Sequence, residues 1–179
     1  PNTGYSFVKW SDNNTNAFRS VTVSATATYT ATFAINSYTI TATAGTGGSV
    51  TGSGSYNYGA TATLTATPNT GYSFVKWSDN NTNASRSITV SGTATYTATF
   101  AINSYTITAT ASTGGSVTGS GSYNYGATAT LTATPNTGYS FVKWSDNNTN
   151  ASRSITVSST ATYTATFAIN SYTITATAG

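Results

Sequence analysis

Ala60-Thr61-Ala62-Thr63-Leu64-Thr65-Ala66-Thr67 places an apolar residue at every second position and a threonine at each position between. A period of two sends alternate side chains to opposite faces of an extended chain, so the stretch reads as a strand with a core face of Ala and Leu and an outer face of Thr. The same alternation runs through Tyr38-Thr-Ile40-Thr-Ala42-Thr-Ala44 and Ala94-Thr-Tyr96-Thr-Ala98-Thr-Phe100, and briefly through Ile88-Thr-Val90. Threonine suits the outer face because its branched Cβ favours extended backbone. Between these runs lie Gly45-Thr-Gly-Gly48, Gly52-Ser-Gly54, Pro68-Asn-Thr-Gly71 and Ser78-Asp-Asn-Asn-Thr-Asn83. They supply Gly for positive φ, or Asn and Asp for local side-chain turns. No stretch carries a helical period, and the expected class is all-β.

The pattern recurs. Pro-Asn-Thr-Gly-Tyr-Ser-Phe-Val-Lys-Trp-Ser-Asp-Asn-Asn-Thr-Asn-Ala begins at Pro1, Pro68 and Pro135, a period of 67 residues. Residues 37–103 and 104–170 frame two complete repeats, 1–36 the C-terminal part of another, and 171–179 the first strand of a further one. The expected architecture is a tandem array of small β-sheet units. The copies differ at few places: Phe18 corresponds to Ser85 and Ser152, and Val21 to Ile88 and Ile155. No copy carries an extra His, Asp or Arg that would set it apart, and a chain that adds equal modules gains length, valency or both. A unit of this size buries only about 60% of its unfolded surface. Contacts with neighbouring repeats, or with copies of itself, are therefore the first partners expected. The junction Phe100-Ala-Ile-Asn-Ser-Tyr105 has neither Pro nor Gly, which favours a stiff rod advancing roughly 25–35 Å per unit. Residues 1–36 lack the first part of a repeat and leave Tyr5–Trp10 and Ala27–Phe33 with bare apolar faces. The chain therefore reads as a window on a longer array; strand addition between separate short chains is the alternative.

Composition narrows the function. The chain has no His, Cys, Met or Glu, and its carboxylates are Asp12, Asp79 and Asp146, one to a repeat. No paired carboxylates, no Ser–His or Cys–His nucleophile and no transition-metal cluster can be assembled within a repeat, so no enzyme, no cofactor and no metal centre are expected. Charged residues make up 5% of the chain, against about 25% in ordinary domains. A net charge of +3 is too dilute for a nucleic-acid interface, which needs clustered Lys and Arg. No apolar run reaches the length needed for membrane insertion.

The expected core of the first complete repeat is Leu64, Tyr72, Phe74, Trp77, Ile88, Tyr96 and Phe100. In the second it is Leu131, Tyr139, Phe141, Trp144, Ile155, Tyr163 and Phe167. Phe74 and Trp77 are three apart, so a straight strand would split them between faces; a bulge near Val75–Lys76 brings both inward. The other reading of Tyr72, Phe74 and Trp77 is an exposed platform for sugars. Asp79-Asn-Asn-Thr-Asn83 matches the start of a calcium loop, but Ala84 stands where that loop needs Gly and Val90 where it needs Glu, so an Asx-turn hairpin loop is preferred. Asn80-Asn-Thr82 and Asn83-Ala-Ser85 match the glycosylation sequon and read as coincidence in an Asn-rich loop. Lys76, close in sequence to Asp79 and several Asn, admits a Lys–Asn isopeptide crosslink; a Lys with a buried stem and wet ammonium is preferred.

Gly47-Gly48-Ser-Val50, Tyr58-Gly59, Leu64-Thr-Ala66-Thr-Pro68, Gly71-Tyr72-Ser-Phe74-Val-Lys-Trp77-Ser78, Ile88-Thr-Val90 and Thr97-Ala98-Thr99-Phe100 together resemble the divergent form of the internalin-type B-repeats, a Listeria–Bacteroides-like tandem-repeat family. The Gly-Tyr-x-Phe-x-x-Trp element is the specific part. The resemblance implies small grasp-like or sandwich-like β units, secretion or cell-surface placement, a spacer or adhesive role, and no shared catalytic residues. The leading expectation is thus a structural segment of an extracellular bacterial or archaeal stalk, adhesin or fibre. A multivalent module binding glycans or host and cell surfaces is the second. Ice binding by Thr61, Thr63, Thr65 and Thr67 is the third.

Overall fold

In a computed structural model that describes all 179 residues, the alternating stretches pair as strands and no helix forms. Residues 1–36 give β1 (Tyr5–Trp10) and β2 (Ala31–Ile35), an antiparallel pair. The first complete repeat gives β3 (Ser37–Ala44), β4 (Gly48–Thr51), β5 (Gly54–Asn57), β6 (Thr61–Pro68), β7 (Tyr72–Trp77), β8 (Ser85–Thr89) and β9 (Ala94–Ile102). The second gives the same series as β10 (Ser104–Ala111), β11 (Gly115–Thr118), β12 (Gly121–Asn124), β13 (Thr128–Pro135), β14 (Tyr139–Trp144), β15 (Ser152–Thr156) and β16 (Ala161–Ile169). The short Gly-Ser-Val-Thr and Gly-Ser-Tyr-Asn strands each begin on the last glycine of a cluster that reads from sequence as a turn, Gly48 and Gly54.

Each complete repeat is two sheets over one core. In the first, a four-stranded sheet of order β5-β3-β9-β7 faces a three-stranded sheet of order β4-β6-β8. The first and last strands of the repeat, β3 and β9, are parallel neighbours at the centre of the larger sheet, with Ile40 opposite Ala94 and Ala44 opposite Ala98. The smaller sheet is antiparallel throughout. Of the two arrangements left open, this packing is sandwich-like. The buried apolar positions are the same eight in both repeats: Ile40, Ala62, Leu64, Ala66, Trp77, Val90, Ala98 and Phe100, then Ile107, Ala129, Leu131, Ala133, Trp144, Val157, Ala165 and Phe167. Gly48 of β4 sits under the Phe100 ring, so close that a Cβ there would fall within it; Gly115 and Phe167 repeat the fit. A large ring is accommodated because the facing strand has no side chain at that point.

By contacts the chain divides into two compact units, Pro1–Asn69 with Ser73–Ala101, and Thr70–Tyr72 with Ile102–Gly179. The first contains a controlled comparison. Ala27–Ile35 and Ala94–Ile102 have the same sequence, yet only Ala31–Ile35 is strand in the first copy while all of Ala94–Ile102 is strand in the second. The difference is the partner: Ala94–Ala98 pair with β3, and no equivalent of β3 stands beside Ala27–Ala31. Phe33 is 47% exposed where Phe100 is 9%. The expectation of a strand over 171–179 is corrected for the same reason. That segment is exposed and holds no strand, because its equivalents β3 and β10 are held by partners on both sides and it has neither.

A second feature of this unit joins residues 1–36 to the first complete repeat. The Asn36 N–H donates to the Gly4 carbonyl (2.8 Å) and the Tyr58 N–H donates to the Asn36 carbonyl (2.8 Å). The Tyr58 ring lies directly over Gly4, where any Cβ would collide with it, and φ at Gly4 is +82°. Tyr38 supports that ring at 6.4 Å between centroids. The second unit repeats the contact with Gly71, Asn103 and Tyr125. At Gly138, with the same φ of +82°, nothing lies within 4 Å of a Cβ position.

Candidate functional site

The loop after the Tyr-Ser-Phe-Val-Lys-Trp strand gathers most of the polar chemistry of a repeat. It is built from its own residues. The register of β14 on β16 slips between Phe141 and Lys143, as does that of β1 on β2 between Phe7 and Lys9, so one residue bulges out. The bulge turns both aromatic residues to the same face: the Phe141 and Trp144 ring centroids are 5.8 Å apart, as are those of Phe74 and Trp77. Trp77 is wholly buried and its indole N–H donates to the Asn83 carbonyl at 3.0 Å. Phe74 meets the Phe100 ring edge-on at 5.9 Å.

The residues expected as core therefore separate into two groups. Leu64, Trp77 and Phe100 are buried, with Leu131, Trp144 and Phe167, while Tyr72, Phe74, Ile88 and Tyr96 are half-buried. In the second repeat Tyr139, Phe141, Ile155 and Tyr163 pack around the edge of the buried cluster. The alternation placed Ile40, Ala62, Ala66 and Ala98 on the apolar face, where they are buried, but the named core left them and Val90 out because it weighed side-chain size where strand position decides burial. With Trp77 interior and Phe74 packed on it, these rings form a core and not an exposed platform.

Past Trp77 the backbone closes on itself. Asn80 N–H donates to the Trp77 carbonyl (2.9 Å), the Trp77 N–H donates to the Asn81 carbonyl (2.8 Å), and Asn80 takes a left-handed φ of 67°. Asp79 Oδ1 accepts the Asn81 N–H and Asn81 Oδ1 accepts the Asn83 N–H, the Asx turns expected of this sequence. The Arg86 guanidinium donates to both Asp79 oxygens at 2.6 Å and lies over the Tyr96 ring, 5.2 Å from its centroid. This Asp–Arg pair was not foreseen, although its signal was present: every copy sets an Arg seven residues after the Asp, as Asp12–Arg19, Asp79–Arg86 and Asp146–Arg153. Lys76 Nζ donates to Asn80 Oδ1 at 2.8 Å. Lys and Asn are thus neighbours, but both are exposed and the acid beside them is held by Arg86. Lys76 is exposed as a whole residue. Oxygens a calcium ion would recruit, those of Asp79, Asn80 and Asn81, are engaged inside the loop, and no cluster of three or more His, Cys, Asp or Glu occurs in the chain.

The outer face of the smaller sheet is hydroxyl-rich. Thr63 faces Ser87 and Thr65 faces Ser85, with oxygens 3.5 and 3.4 Å apart; Thr61 and Thr63 are exposed and Thr65 is half-buried. Clefts such as the one of about 450 Å³ lined by Pro1, Asn2, Tyr5 and Phe33 lie against the half-covered apolar face of residues 1–36. The equivalent rings are covered in the complete repeats.

The Arg86 hydrogen bond is the main cause holding the Asp79 carboxyl below its ordinary value of 3.8, against a smaller opposing effect of desolvation; Arg19 and Arg153 do the same for Asp12 and Asp146. A carboxyl whose folded pKa is depressed stabilises the fold above its unfolded pKa, and that contribution disappears as pH falls through the folded value. The thermal midpoint is therefore expected to be flat between about pH 5 and 8, since the chain has no His, and to fall below 3.8. Asp79→Asn should weaken the acid dependence. A midpoint that moves across neutral pH would contradict this assignment.

A family model described as the divergent InlB B-repeat domain matches residues 1–37, 38–104 and 105–178. No match is found among curated proteins or solved structures.

Proposed function

The chain belongs to the divergent InlB B-repeat family, and from that premise we propose that it is a non-enzymatic structural segment of an extracellular bacterial or archaeal surface stalk, adhesin or fibre. The family is a repeat module of bacterial surface proteins. The observation that carries the proposal is the sameness of the modules: the same eight positions are buried in both complete repeats. A single residue, Asn36, separates β2 from β3, and Asn103 alone separates β9 from β10. Modules of one design joined with so little slack serve to set a distance. Its partners in this reading are neighbouring repeats. No helix is long and apolar enough to cross a membrane.

Arrays of increasing repeat number test it. Small-angle scattering should give a maximum dimension that grows by about 25–35 Å for each added repeat. Growth that stalls as repeats are added would remove the spacer role. Glycan binding that strengthens with repeat number would favour the multivalent reading instead.

A further inference from the structure

We propose that each complete repeat is a mechanical clamp, in which the parallel β3–β9 pair resists tension applied along the chain. The chain enters the first complete repeat at Ser37, the start of β3, and leaves its compact unit at Ala101, one residue before the end of β9. These strands are parallel and hydrogen-bonded side by side, from Ile40 opposite Ala94 to Ala44 opposite Ala98. By that register Ser37 lies level with residue 91, so the exit at Ala101 is displaced from it by ten residues, or about 33 Å at the rise of a strand. Tension pulls Ser37 one way and Ala101 the other, parallel to both strands. Such a load slides one strand along its neighbour and strains the slanted bonds of the ladder together, so that none can break alone.

Three further features tighten the pair. The Gly45 N–H donates to the Ala98 carbonyl at 2.9 Å, extending the ladder past the end of β3. The Thr43 and Thr97 hydroxyls bond across it at 2.8 Å. Ile40 and Ala98 are 1% and 0% exposed, so water cannot reach the ladder from the core side to replace broken bonds. The second repeat carries the same set: Ile107 to Ala111 against Ala161 to Ala165, Thr110 with Thr164 at 2.8 Å, and Ser112 N–H to Ala165 at 2.9 Å. Asn36 alone links β2 to β3, so load from the preceding strand reaches the clamp with almost no compliance between. The inference rests on the spacer reading only for why a load arises.

The test is single-molecule pulling in two directions on one fold. The chain has no Cys, so handles can be placed at chosen sites. Pulled from its ends, the whole chain should give two rupture events of equal length at similar high force, one per complete repeat. Handles at Ser37→Cys and Asn57→Cys load instead the open end of the antiparallel β3–β5 pair, where these residues are register partners. That geometry peels bonds one after another, and rupture should come at several-fold lower force. Equal force in both directions, or end-to-end extension without rupture events, would overturn the clamp. A weak end-to-end response beside linear growth of reach sinks the clamp and leaves the spacer; absent growth sinks the spacer whatever the force.

Discussion

Trp77→Ala is expected to cost about 3–5 kcal/mol, the range for deleting a fully buried large aromatic. Trp77 is 0% exposed, lies against Phe74 and has its N–H bonded to Asn83. A globular unit holds roughly 0.05–0.15 kcal/mol per residue. For a repeat of 67 residues the total is about 3–10 kcal/mol, so this one change removes from about a third to all of it. The same tryptophan in the partial repeat supplies the control. Trp10 makes the same N–H bond, to Asn16, but is only half-buried beside a Phe33 that is 47% exposed. Trp10→Ala should therefore cost far less. Urea unfolding of the two variants, followed by the remaining tryptophans, separates them; similar losses would mean that covering by the second sheet contributes little.

Gly48→Val is the second large effect, and its sign is the informative part. At an open strand position the change should stabilise, since Gly gives up more chain entropy than any other residue and Val favours extended backbone. At Gly48 the new side chain collides with the Phe100 ring. Overpacking of this kind costs about 1–3 kcal/mol. Phe100→Leu in the same background should recover part of the loss, a coupling of about 0.5–3 kcal/mol between residues in contact. Additive losses in the double-mutant cycle would show that the ring moves aside freely.

What was legible in the sequence came from local period. Alternation over Ala60–Thr67 gives β6, and the three-residue spacing of Phe74 and Trp77 required the bulge found in its counterparts β1 and β14. What was not legible depended on partners. Nothing in Gly48-Ser-Val-Thr51 marks it as a strand, and it becomes one because β6 runs beside it, with Thr65 opposite Thr51 and Thr67 opposite Ser49. Residues 171–179 repeat the sequence of a strand and form none without its neighbours. The division into two sheets was hidden because strands of both layers share one alternating pattern. The Asp79–Arg86 pair was overlooked despite its constant spacing of seven, because it joins a loop to a strand that no local period relates.

The ring of Tyr58 over Gly4, and of Tyr125 over Gly71, ties a residue in one copy to a residue in the copy after it, each pair 54 positions apart. Near-identical copies invite recombination, which inserts or deletes whole periods. Any such event, whatever its breakpoint within the repeat, leaves each glycine succeeded at the same interval by a tyrosine. Copy number can therefore change between generations without creating a mismatched joint, and selection on these two positions acts through the neighbour each copy acquires.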